Sequence, residues 1–380
     1  MLRKAFLIYV DGDGVNSNKY YNMFELDNGT FEVKYGRVGG HETKGTKPVG
    51  KWDSTLKSKV RKGYTDISHL KENTSVIQTL SNNDDFNSFY NLFSKYAKNS
   101  VSRSYLVDST TPQQLQEAQN ILNNIIKIKD KVKINAYLTE LYKVIPRRMA
   151  HVSDYLITNV KKQKKELITR EQDALDGMDS NNITRTVNPF DNLNIDFKEV
   201  KTPKWLRTKI ESTINKRYNN KSIYKCFKVS SARQTRFNDW MKNQKNQQTE
   251  HLFHGTRNAN IFSILKSGLL IRPSNAAYIS GAAYGNGIYT SKDTAKSLGY
   301  TGYDTDSLFL ITNTHIGKQY NYQGWYRDGK DLSRKDMTYK GMQDQQCDSL
   351  FVHSGDGLLS SELIFYREEQ VVIDYIIWFK

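Results

Sequence analysis

At 380 residues the chain is long enough for two or three domains with cores of their own, which excludes a single small module. Its 56 lysines and arginines against 40 aspartates and glutamates give a formal charge of +16, spread along the whole length; this suits an acidic partner such as a nucleic acid, and equally plain solubility. Two cysteines, Cys226 and Cys347, neither in a C-x-x-C pair, exclude a zinc finger and a disulfide framework and favour a reducing compartment. The first residues hold too short an apolar run for a signal peptide and no stretch approaches a membrane span, so the expectation is a soluble, intracellular protein without a membrane partner.

Residues 1–70 alternate apolar and polar positions in AFLIYV, KYYNMFEL and TFEVKYGRV, separated by the turn signals DGDG and DNGT, which predicts an antiparallel meander. A basic helical run, KWDSTLKSKVRKGY, follows. From about Ser75 to Gly177 the spacing becomes helical, clearest in TPQQLQEAQNILNNIIKIKD, where Thr111-Pro112 opens a helix with Leu115, Ala118, Ile121, Leu122 and Ile125 on one face. KKQKKE at 161–166 reads as a solvated helix face, and 178–192 as a polar linker. Short β-type runs then return: KCFKVSS, HLFHGT, GIYT, DSLFLITNTH and ELIFYREEQVVIDYIIWF. The fold class expected is α+β and multidomain, with a small antiparallel β domain, a helical bundle-like segment and a mixed α/β domain on a β-sheet core.

Three places carry side chains suited to chemistry. His254 ends an apolar strand and Gly255 follows it, setting an imidazole beside an unobstructed peptide unit. In YGNGIYTSKDTAKSLGY (284–300), glycines permit close approach and Thr290-Ser291-Lys292-Asp293 has the T-x-x-D form of a helix start. Ser297 and Tyr300, three apart, then share a face, while Tyr289 comes from the preceding strand; a hydroxyl and two rings can enclose a flat polar ligand or simply pack a turn. Glu362 heads the apolar run Leu363-Ile364-Phe365-Tyr366, where a carboxylate is either a sheet-edge charge or an acid or base. GNGIY lacks the third glycine and the acidic ribose ligand of a Rossmann fingerprint.

In order and spacing, His-Gly-Thr, G-x-x-Y-G-x-G-I-Y, K-S-x-x-Y and S-E-L-I-F-Y-x-x-x-Q-V resemble the catalytic domain of the poly(ADP-ribose) polymerases, a family of NAD-consuming ADP-ribosyltransferases, over residues 190–380. The resemblance implies a triad of His254, Tyr289 and Glu362 and NAD+ as co-substrate, with no metal. It implies nicotinamide stacked between Tyr289 and Tyr300, its carboxamide held by the Gly255 backbone and the Ser297 hydroxyl, with Tyr284 beside them. His254 would bind the adenine-side ribose, and Glu362 would accept from the 2′-hydroxyl of the nicotinamide ribose. Positive charge builds on that ribose as nicotinamide leaves, and a carboxylate there stabilises it and can activate an acceptor hydroxyl. Relatives without this Glu are mostly mono-transferases, so its presence leans towards polymer.

TPQQLQEAQNILNNII with LTELYKVIPRRM resembles part of the family's helical regulatory domain, taken here as residues 76–180. Residues 1–75 resemble its WGR domain, with Tyr35-Gly36-Arg37 where the signature has Trp. That resemblance implies sequence-independent binding of DNA ends or nicks through Tyr35, Arg37, Lys59 and Arg61. The protein acceptors would include the chain itself, and the location would be nuclear in a eukaryote or cytoplasm and nucleoid in a bacterial or phage setting. The alternatives are a mono-transferase acting on a nucleic acid or a target protein, and a catalytically weak DNA-binding reader of NAD or ADP-ribose.

Overall fold

The structure, a computed structural model, describes the chain apart from residues 1, 13, 15, 72–82, 103, 106–109, 184–194, 215, 272–281, 303, 304, 323–331, 334, 335 and 356–359. Among the described residues, those of Met1–Ile77 and Ala97–Asn182 form one compact unit, and those of Gln78–Tyr96, Ile183–Ser274 and Ile279–Lys380 form another.

The first unit opens with the expected meander, β1 (Lys4–Asp11), β2 (Ser17–Glu25) and β3 (Thr30–Arg37). The edges are added by β4 (Glu42–Pro48) and β5 (Thr65–Asp66), giving the order β4-β3-β2-β1-β5. Polar, exposed β4 carries no alternation and was not legible as a strand; it is held by its ladder to β3. Period-two alternation sends Ala5, Leu7, Tyr21, Met23, Phe31 and Val33 to one face, where α1 (Trp52–Arg61) covers them with Trp52. Ile8 and Val10 point to the other face and join Val38 in a core shared with α3 (Pro112–Lys127), α4 (Lys131–Val144) and α5 (Val160–Ile183). The sheet and the helices, which the sequence suggests are domains meeting near residue 75, therefore share one core in one compact unit.

Thr111 caps α3 in a full capping box, and Ala118, Ile121, Leu122 and Ile125 are buried as their spacing required. Arg147, after α4, is buried against Glu171 of α5 at 2.8 Å, with the Tyr105 hydroxyl on the same carboxylate. α5 runs on to Ile183, into the expected linker, of which 184–192 lie outside the described residues.

In the second unit, β6 (Asp196–Val200), β7 (Ile223–Ser230), β8 (Thr249–Gly255), β10 (Ser307–His315) and β14 (Val371–Phe379) form a sheet ordered β6-β7-β14-β10-β8. Helices cover both faces, which is why Leu308–Ile311 of β10 and most of β14 read as apolar runs. Leu206 and Ile210 of α6 (Lys204–Glu211) pack with Cys226, Phe309, Ile377 and Phe379. The opposite face takes Phe86, Phe89 and Phe93 from the first half of α2 (Asp84–Ser102), packed on Phe197, Phe227 and Trp378. This half of α2 thus belongs to the second unit and not to the helical segment expected over 76–180. A second sheet, β11-β12-β13-β9, contains β9 (Ile288–Thr290), β11 (Gln319–Tyr322), β12 (Ser349–Val352) and β13 (Glu362–Phe365).

Candidate active site

The site lies in the second unit, where β8 meets β9. Phe253 and Ser291 exchange both backbone hydrogen bonds, at 2.8 and 2.9 Å, and so stitch the end of one sheet to the start of the other. β9 pairs in turn with β13 through Tyr289↔Ile364 and Thr290↔Leu363. His254, Tyr289 and Glu362 thus come from three strands joined edge to edge, although 35 residues separate the first two and more than seventy the last two.

His254 Nδ1 lies 2.8 Å from the carbonyl oxygen of Tyr289. A carbonyl only accepts, so Nδ1 carries the proton and Nε2 keeps a lone pair for a ligand hydroxyl. Burial lowers the imidazole pKa below its ordinary value, outweighing the opposing hydrogen bond, so the ring is neutral at pH 7. The Tyr289 hydroxyl donates to Gly285 O at 2.7 Å and accepts from Tyr284 N at 2.9 Å, which fixes its ring against the turn. Gly285 has φ +83, and a Cβ there would stand 2.1 Å from Met337 O; only glycine fits.

Tyr284 is buried and packs edge-on against Tyr322 with ring centroids 5.4 Å apart, while its carbonyl accepts from the Tyr366 hydroxyl. Its ring belongs to the small core under the second sheet, and it reaches the site through its backbone.

Asp293 caps α9 (Thr294–Leu298), accepting from Lys296 N at 3.2 Å, and it also accepts from the Ser360 hydroxyl at 2.7 Å. The helix is a residue or two shorter than its sequence suggested, but Tyr300 N still bonds Ser297 O at 3.1 Å, so both side chains remain on one turn. Gly255 is pressed against this turn: a Cβ on it would fall 1.9 Å from Ser297 O and 3.0 Å from Tyr300 Cβ. His254, Gly255, Ser297 and Tyr300 are in this way one constellation. The Ser297 hydroxyl has no hydrogen-bond partner among the described residues, and Tyr300 is half exposed.

Glu362 is almost fully buried at the head of β13. Its Oε1 lies 2.7 Å from Lys296 Nζ, which also donates to Ser360 O at 2.8 Å. Lys296 is the lysine of the K-S-x-x-Y motif, and the motif alone gives it no role. The signal available was physical: a carboxylate leading an apolar strand needs a cation if it is to be buried ionised. Tyr300 stands close enough for Glu362 to add to the rise in its phenol pKa, which burial chiefly causes.

In the first unit, Tyr35 stacks on Tyr21 at 5.4 Å between centroids and 27° between planes. Lys59 Nζ sits 3.7 Å from the centre of Tyr21 and 5.8 Å from that of Tyr35. Burial lowers the Lys59 pKa, helped by Lys62 and Lys47. Arg37, two residues after Tyr35 on β3, donates from Nη1 to Ala150 O, and Arg61 is exposed in the last turn of α1.

Residues 198–380 match the family model described as the poly(ADP-ribose) polymerase catalytic domain. A putative poly [ADP-ribose] polymerase-like protein, 100L, of Invertebrate iridescent virus 6 is 40% identical over 141 residues, covering 37% of this chain and 76% of that protein. An uncharacterized protein of the same virus, 101L, is 34% identical over 175 residues, covering 43% of this chain and 72% of that protein. The matched residues contain every strand of the joined sheets that bears His254, Tyr289 and Glu362. The chain belongs to the poly(ADP-ribose) polymerase family, and its carboxy-terminal part is an ADP-ribosyltransferase domain of the kind whose substrate is NAD+.

Proposed function

We propose that the protein cleaves the nicotinamide–ribose bond of NAD+, transfers ADP-ribose to protein acceptors including itself, and extends the product into polymer, with DNA ends or nicks as the stimulus. The observation that carries the catalytic part is the convergence of a neutral His254, the Gly255–Ser297–Tyr300 cradle and the buried Glu362 on one edge of the joined sheets.

In this reading the Gly255 peptide unit and the Ser297 hydroxyl hold the carboxamide, and Tyr289 and Tyr300 flank the ring. Ser297 has an unspent hydroxyl to offer, and the cradle is too tight for any side chain at 255. His254 Nε2 accepts from a ribose hydroxyl. Glu362 stabilises the positive charge that develops on the other ribose and takes the proton of an acceptor hydroxyl. Lys296 holds that carboxylate in place inside an apolar surround.

Stimulation by DNA rests on the first unit, where a stacked tyrosine pair carrying a lysine makes a platform for sugar or base beside the cations Lys62 and Lys47. The test is to incubate the purified chain with NAD+, with and without nicked duplex, and to measure both nicotinamide release and product length. Release that rises with duplex and a ladder of products support the full reading. Release of nicotinamide with one ADP-ribose per acceptor replaces polymer with mono-transfer, and no release at all sinks the proposal.

A further inference from the structure

We propose that the transferase domain binds a single-stranded nucleic acid on the face of its main sheet that α6 covers, with a base stacked on Trp205 and phosphates taken by Lys198, Lys201 and Lys204. The sequence concentrates charge there. Residues 198–228, which make β6, α6 and β7, hold ten lysines and arginines against two glutamates, a net +8 that is half the charge of the whole chain. Charge kept only for solubility is interspersed with the opposite sign; a surplus this local attracts a polyanion.

The fold gathers these cations beside an aromatic platform. Tyr375 of β14 pairs with Lys228 of β7, and Lys228 pairs with Lys198 of β6. Cross-strand partners share a face, so the three form a row that runs out to the edge strand of the sheet. Lys228 Nζ lies 4.3 Å from the centre of the Tyr375 ring and pairs with Asp374, whose other oxygen is 2.8 Å from His251 Nε2 on β8. Trp205, in the first turn of α6, lies over this group: its ring is 4.7 Å from that of His251 and 6.3 Å from that of Tyr375. Helical phase sends Leu206 and Ile210 into the core and leaves Trp205 44% exposed. A tryptophan propped on other rings and open to solvent is a platform on which a base can stack.

The cations of this face are of two kinds. Lys209 and Lys292 are spent on Glu250, Arg207 on Glu211, Lys225 on Glu199 and Lys228 on Asp374. Lys198, Lys201 and Lys204 are exposed and make no ion pair or hydrogen bond among the described residues. Lys201 and Lys204 precede Trp205 by four residues and one, and Lys198 ends the row. Every carboxylate named here already holds a cation, so these three lysines set the sign of the face. Free cations around an open ring fit a strand with unstacked bases; a duplex keeps its base faces covered, and a run of acidic side chains has none to offer. The face belongs to the second unit and uses neither Tyr35 nor Lys59.

Fluorescence anisotropy of the full chain with a labelled oligothymidylate about a dozen nucleotides long tests this. Trp205→Ala should weaken binding about tenfold or more, the worth of one lost stack, and Trp205→Phe should restore most of it. Lys201→Gln with Lys204→Gln should shallow the log–log salt slope by about 1.4, about 0.7 for each single-strand phosphate. Tyr35→Ala should leave the affinity unchanged, which separates this face from any nucleic-acid surface of the first unit. These side chains are exposed, so every variant should keep the wild-type unfolding midpoint. Wild-type affinity in Trp205→Ala overturns the proposal, and so does an unchanged salt slope in the double lysine variant or a loss in Tyr35→Ala as large as that in Trp205→Ala. In the Tyr35→Ala chain, a blunt duplex bound as tightly as the single strand also overturns it, as does poly-glutamate that displaces the strand as readily as unlabelled strand does.

Discussion

The carboxylate of Glu362 and the ammonium of Lys296 meet at 2.7 Å with both side chains largely shielded from water. Removing one partner of such a pair strands the other charge, at a cost of about 3–5 kcal/mol. Lys296→Met and Glu362→Gln should therefore each lower the unfolding midpoint, and the double variant should lose less than the two losses added together. Additive losses would mean the ion pair contributes nothing to the folded state. Lys296→Arg should recover stability more fully than it recovers turnover, because its planar fork cannot place the carboxylate as an ammonium does.

The proposed nicotinamide cradle can be probed with benzamide, which carries the same carboxamide on an aromatic ring. Tyr300→Ala should weaken inhibition by about 1–3 kcal/mol, the range for a lost stacking contact. Ser297→Ala should weaken it by about 0.5–1.5 kcal/mol, the worth of one hydrogen bond. Gly255→Ala is the harsher change, since its new methyl must displace Ser297 O from 1.9 Å. A shift of about 1 Å there should cost roughly a hundredfold in kcat/KM. Unchanged inhibition constants in all three variants would place nicotinamide elsewhere.

Burial lowers the His254 pKa from the ordinary 6.5, which fixes the direction of two pH effects. The unfolded chain takes up this proton near pH 6.5 and the folded chain only at lower pH, so stability is full above 6.5 and is lost as pH falls towards the folded value. Protonation also converts Nε2 from acceptor to donor. The KM for NAD+ should hold steady down to about pH 6.5 and rise below it, and His254→Gln should abolish that limb. A limb centred above 6.5 would contradict the depressed pKa.

Nicked duplex should bind with a steep salt dependence, weakened by Tyr35→Ala and Lys59→Ala. Lys59→Ala should also shallow the salt slope by about one unit if the amine contacts a phosphate. Arg37→Ala should do less, because that guanidinium is already spent on Ala150 O. Point variants are required here: deleting residues 1–75 would strip Ile8, Val10 and Val38 from the core of the helices. Binding that ignores salt and both substitutions would move the DNA surface elsewhere.

What the sequence disclosed depended on the reach of the forces concerned. The meander, α3 with its Thr111-Pro112 start, and strands β7, β8, β10 and β14 were legible because alternation, helix starts and apolar runs act within a few residues. The constellation of His254, Gly255, Ser297 and Tyr300 was legible through motif order, and the Gly255 contacts explain why those residues had to meet. Lys296 escaped because it lies on the short helix α9 and its partner is 66 residues away at the head of strand β13. Helical spacing across 75–177 covers Phe86, Phe89 and Phe93 but does not say which sheet they pack on, because that partner is more than a hundred residues away. Strand β4 escaped because an exposed edge needs no apolar pattern.

The central claim is that Glu362 makes this chain an elongating ADP-ribosyltransferase, and labelled NAD+ tests it most directly. Wild-type protein and Glu362→Gln are incubated with biotinylated NAD+ and nicked duplex, and the products are resolved on a denaturing gel beside a direct measure of NAD+ affinity. The wild type should give long automodified smears. Glu362→Gln should bind NAD+ with similar affinity, turn over roughly 10²–10³-fold more slowly, and yield no polymer. Long polymer from Glu362→Gln, or none from the wild type under any condition that releases nicotinamide, would contradict the account.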